Sequence, residues 1–396
     1  MRKYKRIFMI ITDSLGIGGD KRAEEFGDKG ANTLLNVSKT GLLKIPTWKK
    51  MGIDSIAKME GFNKAVKQTA YTARMNELSN AKDTLAGHWE MMGIKTEVPF
   101  PVFTKNGFPK ELITKLEQEF KREIVGNKAA SGTDIINELA DEEIKNNKVI
   151  VYTSADSVLQ ICGHEKHMGL KTLYKFCQIA RRVCDSKPEW KVGRIIARPY
   201  IGENGKWERT SNRHDYAVYP PKRTILDNLS DGNTRVIGVG KINDIFGGRG
   251  ICETHSSTSD AHGMDITIDM AMNKSDKQKF IFVNLVDFDA KFGHRRDPEG
   301  YALNINLFDI KLAKLVNALD EDDLLIISSD HGTDPTFKGT DHTREHVPAT
   351  IFSKSFTGKP KKLDDFQGFG TIGNLVATNF GVPLVDTGED RSHEII

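Results

Sequence analysis

Three stretches of the chain share one pattern of polarity. IFMIITDS (residues 7–14), FIFVNLVDFDA (280–290) and DLLIISSDHGTD (323–334) run apolar without alternation and then end in acidic residues. Such a run suits a strand buried on both faces, as in a mainly parallel sheet covered by helices. Ligands of these sheets bind beyond the carboxyl ends of the strands, which is where Asp13, Asp287, Asp289 and Asp330 fall. Between the second and third runs, Asp297-Pro298-Glu299 opens a stretch in which Leu303, Leu307, Ile310, Leu312, Leu315 and Val316 recur near helical spacing. A strand–helix–strand unit is predicted there. The first run lies near one end of the chain and the others near the opposite end, so the sheet draws on both.

The middle of the chain reads differently. Val98-Pro99-Phe100-Pro101 punctuates the pattern, and Tyr219-Pro220-Pro221 punctuates it again. Between them lie a helix-like PKELITKLEQEFKREI (109–124), a strand-like KVIVYTSADSV (148–158), a helix-like GLKTLYKFCQIARRVCD (169–185) and a strand-like RIIARPYIG (194–202). The organisation predicted is a core of residues 1–98 and 220–396, with 99–219 inserted as an α+β cap. A chain of 396 residues is long enough for both.

Charge narrows the function. The 57 Lys and Arg against 54 Asp and Glu leave a net +3, scattered rather than blocked, which does not indicate nucleic-acid binding. Cys162, Cys177, Cys184 and Cys252 form no C-x-x-C pair, so free, buried thiols in a reducing compartment are expected rather than disulfides. The apolar run from Ile7 to Ile11 is too short for a signal-peptide core. No stretch reaches the roughly 18 apolar residues of a membrane span. A soluble, cytoplasmic protein without a membrane partner is expected.

Histidines and aspartates gather in the last third: D-F-D-x-x-x-G-H carries Asp289 and His294, S-D-H-G-T-D carries Asp330 and His331, and D-H-T-R-E-H carries His342 and His346. Asp13 joins them from the first strand end. One metal rarely uses so many ligands. A mixture of carboxylate and imidazole is what a pair of ions about 3.5–4 Å apart takes when it clamps a phosphoryl group, and it suits Mn²⁺ or Zn²⁺. A lone histidine is more often a hydrogen-bonded structural residue, the reading given to His346 and His262. Asp287 reads as a turn cap, since Asp289 keeps the five-residue spacing to His294. An adjacent acid and imidazole at a strand end, as in Asp330-His331, serve no packing need.

One further stretch, AKDTLAGHWEMMG (81–93), offers Thr84 as its one hydroxyl. Alone it would read as a turn or capping residue; a two-metal cluster would give it the means of activation.

TDSLGIGG, KDTxxGHWE (82–90), DFDxxxGH, SDHGxDPT and TDHTREHVP together resemble bacterial phosphopentomutase of the alkaline-phosphatase superfamily. The matches run from residue 7 to the end, and the cap matches in VYTSADSVLQI, GRIIARPYIG and SNRHDYA. The resemblance implies an α/β fold, an alkaline-phosphatase-like core with a mainly parallel sheet flanked by helices, plus the inserted cap. It implies two Mn²⁺ per chain, one held by Asp13, Asp330 and His331 and the other by Asp289, His294 and His342, with Thr84 as the phosphorylated nucleophile between them. It implies substrate contacts from Ser154, Asp156, Val158, Arg194 and Arg209. The activity implied interconverts (deoxy)ribose 1-phosphate and 5-phosphate through a 1,5-bisphosphate, with a sugar bisphosphate such as glucose 1,6-bisphosphate as activator. Partners would be small sugar phosphates, with the oligomeric state open and a monomer allowed. Leu85 and Ala86 stand where family members often carry another hydroxyl residue or a proline, and Cys162 stands where a small residue is expected.

Three alternatives compete. A metal-dependent phosphomonoesterase would share the metal site and release phosphate. A cofactor-independent phosphoglycerate mutase would use serine and a differently placed insertion. A catalytically silent metal-binding protein would have degraded ligands, and none of the six is missing.

Overall fold

The computed structural model describes residues 4–62, 67–154, 156–358 and 360–396. The chain divides into two compact units, Met1–Val98 with Pro220–Ile396, and Pro99–Tyr219. In chain order the strands are β1 (Arg6–Thr12), β2 (Tyr71–Asn76), β3 (Ile124–Ala129), β4 (Val149–Thr153), β5 (Val158–His164), β6 (Arg194–Glu203), β7 (Lys206–Arg209), β8 (His214–Ala217), β9 (Arg235–Val239), β10 (Glu253–His255), β11 (Lys279–Leu285), β12 (Asp323–Ser328), β13 (Val347–Phe352) and β14 (Phe366–Gln367).

The first unit builds one sheet in the order β10-β9-β11-β1-β12-β13-β2-β14. From β10 to β12 every pair is parallel, β13 runs antiparallel to both its neighbours, and β14 is parallel to β2. The three apolar runs are the central β11, β1 and β12. Phe8 and Ile10 of β1 enter a cluster with Trp48, Ile305 and Leu312. Ile7, Met9 and Ile11 face the other way by the two-residue pleat and are equally buried. That two-sided burial is why the run lacks polar alternation, and each such side chain contributes about 1.5–3 kcal/mol. Ile11 pairs with both Asn284 and Ser328, so the three strands end level. At their other end Arg6 donates to Asp323 through Nε (2.7 Å) and Nη2 (2.6 Å), a bidentate pair that pins β1 to β12.

The helix Pro298–Ala318 connects β11 to β12, with Asp297 as its N-cap. Its buried face is Tyr301, Ala302, Ile305, Phe308, Asp309, Leu312 and Leu315. Leu303, Leu307 and Ile310, expected in the apolar stripe, are instead 56%, 40% and 57% exposed. The true stripe includes Asp309, whose carboxylate accepts from Thr47 N and Trp48 N and so caps the helix Pro46–Met51. A buried acid serving as a cap cannot be told from a surface acid by polarity, so the apolar pattern places Leu312 and Leu315 correctly but not Leu303, Leu307 and Ile310.

The second unit has its own mixed sheet, β3-β4-β5-β6-β7, with β8 also paired to β6. The helices Lys110–Phe120 and Leu170–Cys184 supply one apolar cluster and the helix Gly132–Asn146 another. The first helix stops at Phe120, Lys121 takes φ 55° and Ile124 already belongs to β3, so the helix expected to reach 124 is shorter. Of the run 148–158, β4 takes only Val149–Thr153 and Val158 opens β5, which runs antiparallel to it, so the expected strand is shorter. The four cysteines are free; Cys162, Cys177 and Cys184 are buried, whereas Cys252 is exposed, against the expectation of burial. Among the described residues no helix is long and apolar enough to cross a membrane.

Candidate active site

The level ends of β1, β11 and β12 deliver Asp13, Asp289 and Asp330 to one place in the first unit. Asp13 follows β1 directly, and the polypeptide then turns through Ser14, whose φ of 77° lets its N–H donate to Asp330 Oδ1 at 3.1 Å. After β11 the chain makes a single π turn, Phe288–Gly293, closed by His294 N donating to Asp289 O at 3.0 Å. A turn closed at five residues puts Asp289 and His294 side by side, with His294 Nε2 3.2 Å from Asp289 Oδ2. That is the physical content of the D-x₄-H spacing.

His331 and His342 are paired by an isolated bridge. Gly332 and Thr343 exchange both backbone hydrogen bonds (3.0 and 2.7 Å), and the flanking imidazoles lie with centroids 4.1 Å apart. Glu345 braces this loop from behind, accepting from Gly18 N, Thr33 N, Thr33 Oγ1 and Thr343 Oγ1. Burial pushes its carboxyl up to about 7 despite those donors.

Ligand-type atoms of Asp13, Asp330 and His331 lie within 4.8 Å of one another, as do those of Asp289, His331 and His342. His294 touches the second group through Asp289, and its ring is 4.7 Å from His342. The six residues are thus one continuous cluster, buried except for the half-buried His294, in which His331 stands between the two halves. Burial alone would raise all three carboxyls. Asp13 is raised, since Asp330 and Asp289 add like charge. Asp330 and Asp289 end below their usual range because imidazoles outweigh burial: His331 and His88 for the first, His342 and His294 for the second. His331 is held well above its ordinary value by Asp330 and Asp13, burial opposing. Asp13 Oδ1 and Asp330 Oδ2 are buried without a hydrogen-bond partner among the described residues. Oriented, unpartnered carboxylate oxygens beside imidazole nitrogens fit a divalent cation.

Thr84 opens the helix Thr84–Met91 beside this cluster. Asp83 is its N-cap, accepting from Leu85 N (3.0 Å) and Ala86 N (3.2 Å). Thr84 Oγ1 is 3.3 Å from His331 Nε2. The unusual GHWE run that follows now has reasons. A Cβ on Gly87 would come within 2.3 Å of Asp330 O, so only glycine lets the helix lie on that loop. Trp89 Nε1 donates to Ile245 O, and Glu90 accepts from Leu78 N, Ser79 N, Ser79 Oγ and Phe369 N. Buried Arg344 binds Glu77 Oε2 (2.8 Å), Ser79 O (3.0 Å) and Ala81 O (2.6 Å), fixing the chain that leads into Thr84.

Asp287, His346 and His262 have structural partners: Asp260 N, Gly18 O and Thr258 N respectively.

In the second unit Ser154, Asp156, Val158 and Arg194 gather where β4 ends and β5 and β6 begin. Arg194 Nη2 donates to Asp156 Oδ2 at 3.1 Å, and Val158 pairs with Arg194 across the sheet. Arg209 does not join them. It pairs with Tyr200, six residues further along β6, and lines a cleft of about 520 Å³ with Arg198, Arg213, Trp207 and Thr210. Arg198 donates to Gln160 Oε1 at 2.9 Å, and burial with the like charges of Arg213 and Arg209 lowers its pKa. Guanidiniums crowded this way favour an anion such as phosphate. Arg198, on β6, and Arg213, just before β8, carry no sign in the sequence because such arginines look like surface charge until the strands are paired.

A family model described as the metalloenzyme superfamily matches residues 5–384. The phosphopentomutase of Mycoplasmopsis pulmonis is 52% identical over 391 residues, 98% of each chain. That of Clostridium tetani is 51% identical over 388 residues, 97% of this chain and 96% of its own. This chain belongs to the phosphopentomutase family. It is therefore a member of a metal-binding isomerase family. The core is an α/β fold, and the PH0037 protein of Pyrococcus horikoshii has a similar fold, with TM-score 0.50 at 12% identity over 96% of this chain and 98% of its own. Membership in this isomerase family leaves no support for a silent metal-binding protein.

Proposed function

We propose that this chain interconverts ribose or deoxyribose 1-phosphate and the matching 5-phosphate by passing a phosphoryl group through Thr84. The observation that carries the reading is the placement of Thr84 Oγ1, at a helix start and 3.3 Å from His331 Nε2, against a cluster of three aspartates and three histidines that is buried except at His294. Asp13, Asp330 and His331 would hold one Mn²⁺ and Asp289, His294 and His342 a second. Bound there, two divalent ions supply charge neutralisation for phosphoryl oxygens and for a threonine alkoxide.

The chain's own residues do the rest. Phosphorylated Thr84 would donate its phosphoryl group to the free hydroxyl of the sugar monophosphate: the new P–O bond forms at the sugar as the bond to Oγ1 breaks. The product is the 1,5-bisphosphate. The bisphosphate then returns its other phosphoryl group to Oγ1, which restores phosphothreonine and releases the isomeric monophosphate. A sugar bisphosphate such as glucose 1,6-bisphosphate primes the unphosphorylated enzyme by the same step. Asp83 fixes the first turn so that Oγ1 stays oriented, and Leu85 and Ala86 leave the loop without a rival hydroxyl. In the cap, Asp156 and Arg194, with Ser154 and Val158, would grip the sugar, and the Arg209 cleft would take the phosphate that is not transferred. A cytoplasmic location accords with such soluble sugar phosphates.

The purified chain, given Mn²⁺, a trace of glucose 1,6-bisphosphate and ribose 1-phosphate, is expected to yield ribose 5-phosphate with little free phosphate. Free phosphate released in step with substrate loss would make the protein a phosphomonoesterase instead.

A further inference from the structure

His88 is the one residue of the GHWE run that faces the cluster without belonging to the proposed ligand sets. Its imidazole is fully buried. Nδ1 lies 2.9 Å from the carbonyl oxygen of Thr84 and 3.1 Å from Asp330 Oδ2. The carboxylate contact lacks hydrogen-bond geometry, since Asp330 Oδ2 has no hydrogen-bond partner, so the N–H points at the carbonyl and the attraction to Asp330 is electrostatic. On the far side of the ring Nε2 lies 3.4 Å from Asn284 Nδ2, which also donates to Asp13 Oδ2 at 2.9 Å. Asn284 is itself fully buried, on the last turn of the pleat of β11.

The tautomer follows from this chain of contacts. Asp13 can only accept, so the amide nitrogen of Asn284 must be the atom that faces it. That nitrogen is a donor, hence Nε2 of His88 accepts and the proton sits on Nδ1. A buried ring with one fixed N–H then joins the carbonyl of the proposed nucleophile to Asp330, while Asn284 joins it to Asp13, both proposed ligands of the same ion. Gly87 permits the close approach this requires.

We propose that His88 is a positioning residue: its Nδ1–H, set by Asn284, locks the helix start that carries Thr84 to the Asp13 and Asp330 carboxylates. The inference rests on the metal reading given above. His88 belongs to neither the proposed ligands nor the proposed substrate contacts, so its loss should weaken Mn²⁺ binding and lower kcat while leaving KM for ribose 1-phosphate unchanged. Groups that orient metal ligands from behind typically cost about 10–100-fold in affinity or rate when removed.

Two polar replacements separate the two ring nitrogens. The amide nitrogen of an asparagine falls where Nδ1 was, and that of a glutamine falls where Nε2 was. His88→Asn should therefore keep Mn²⁺ affinity, measured by isothermal calorimetry on the full chain, within about threefold of the parent. His88→Gln should bind Mn²⁺ about 10–100-fold more weakly and show kcat reduced on the same scale. Equal behaviour of the two variants, or a rise in KM in place of the fall in kcat, overturns the inference. If His88→Gln does not fold by circular dichroism, His88→Asn alone decides, and Mn²⁺ binding weakened beyond about tenfold overturns it. A parent chain that binds no Mn²⁺ brings down the functional reading as well, whereas normal parent binding with indistinguishable variants brings down this inference alone.

Discussion

The two units treat the charged residues of their candidate sites in opposite ways. In the first, the three aspartates, His331 and His342 are buried, and their loops are tied by the buried Glu345, Arg344 and His88 and by the half-buried Asp83. In the second, Arg194 and Asp156 are about a quarter and a third exposed, and Arg213 lies on an open cleft. Rigid placement suits reacting atoms, where a displacement of about 1 Å can cost 10²-fold. Partly solvated arginines suit a group that must hold a phosphate and release it. On the proposed function the contrast is between chemistry and grip, and it can be broken at either end.

The largest effect is expected at Thr84. Thr84→Ala should lower mutase turnover by about 10⁴-fold or more, the scale on which loss of a covalent nucleophile is felt, while Mn²⁺ stoichiometry by calorimetry stays that of the parent. Substantial residual turnover would remove Thr84 from the role of nucleophile.

Arg344 tests whether the first unit depends on its buried ties. Arg344→Ala strands Glu77, whose carboxyl burial already raises despite the guanidinium, and the cost should be about 3–5 kcal/mol of stability in urea unfolding. A loss under 1 kcal/mol would mean that the loop before Thr84 is held by its backbone alone.

Arg194→Ala probes the second unit. If Arg194 grips substrate, KM for ribose 1-phosphate should rise about 10–100-fold, the worth of one charge-assisted hydrogen bond, with kcat nearly unchanged. A fall in kcat at constant KM would place Arg194 in the chemistry and erase the division of labour.

The smallest effect concerns a buried acid of the second unit. Glu143 accepts from Tyr200 OH, and burial pushes its carboxyl up to about 6 from 4.5. A carboxyl raised on folding binds more protons in the native than in the unfolded state between those values. Its contribution to stability is thus complete below about pH 4.5 and lost as pH rises through about 6, at most about 2 kcal/mol for a shift of this size. Glu143→Gln should gain stability relative to the parent across that window, read from urea midpoints at pH 4.5 and 7. A difference independent of pH would show that Glu143 does not titrate there.

Much of the first unit was readable because its signals are local. β1, β11 and β12 announce themselves by apolar runs that both faces of the sheet bury, and the five-residue step from Asp289 to His294 is the repeat of one π turn. His88 was readable in principle, four residues after Thr84 and so on the same helical face, but GHWE gave no sign of what that face would meet. The helix Gly132–Asn146 passed unread; only Ile135, Ile136 and Ala140 of its hydrophobic residues are buried, too sparse a stripe among its acids to stand out. The exposed Leu303, Leu307 and Ile310 misled for the converse reason.

By itself the sequence determined which residue types stand at the ends of which buried strands, and with them the acid and imidazole inventory and the hydroxyl of Thr84. Those assignments rest on neighbours in the chain, where burial and spacing leave a periodic trace. Only the tertiary structure decided that β1 lies between β11 and β12 with their ends level, that Gly332 and Thr343 bring His331 against His342, and that Arg209 stands apart from Arg194. Pairing between strands and contacts across loops join residues far apart in the chain, and no local periodicity records which distant partner a hydrogen bond will find.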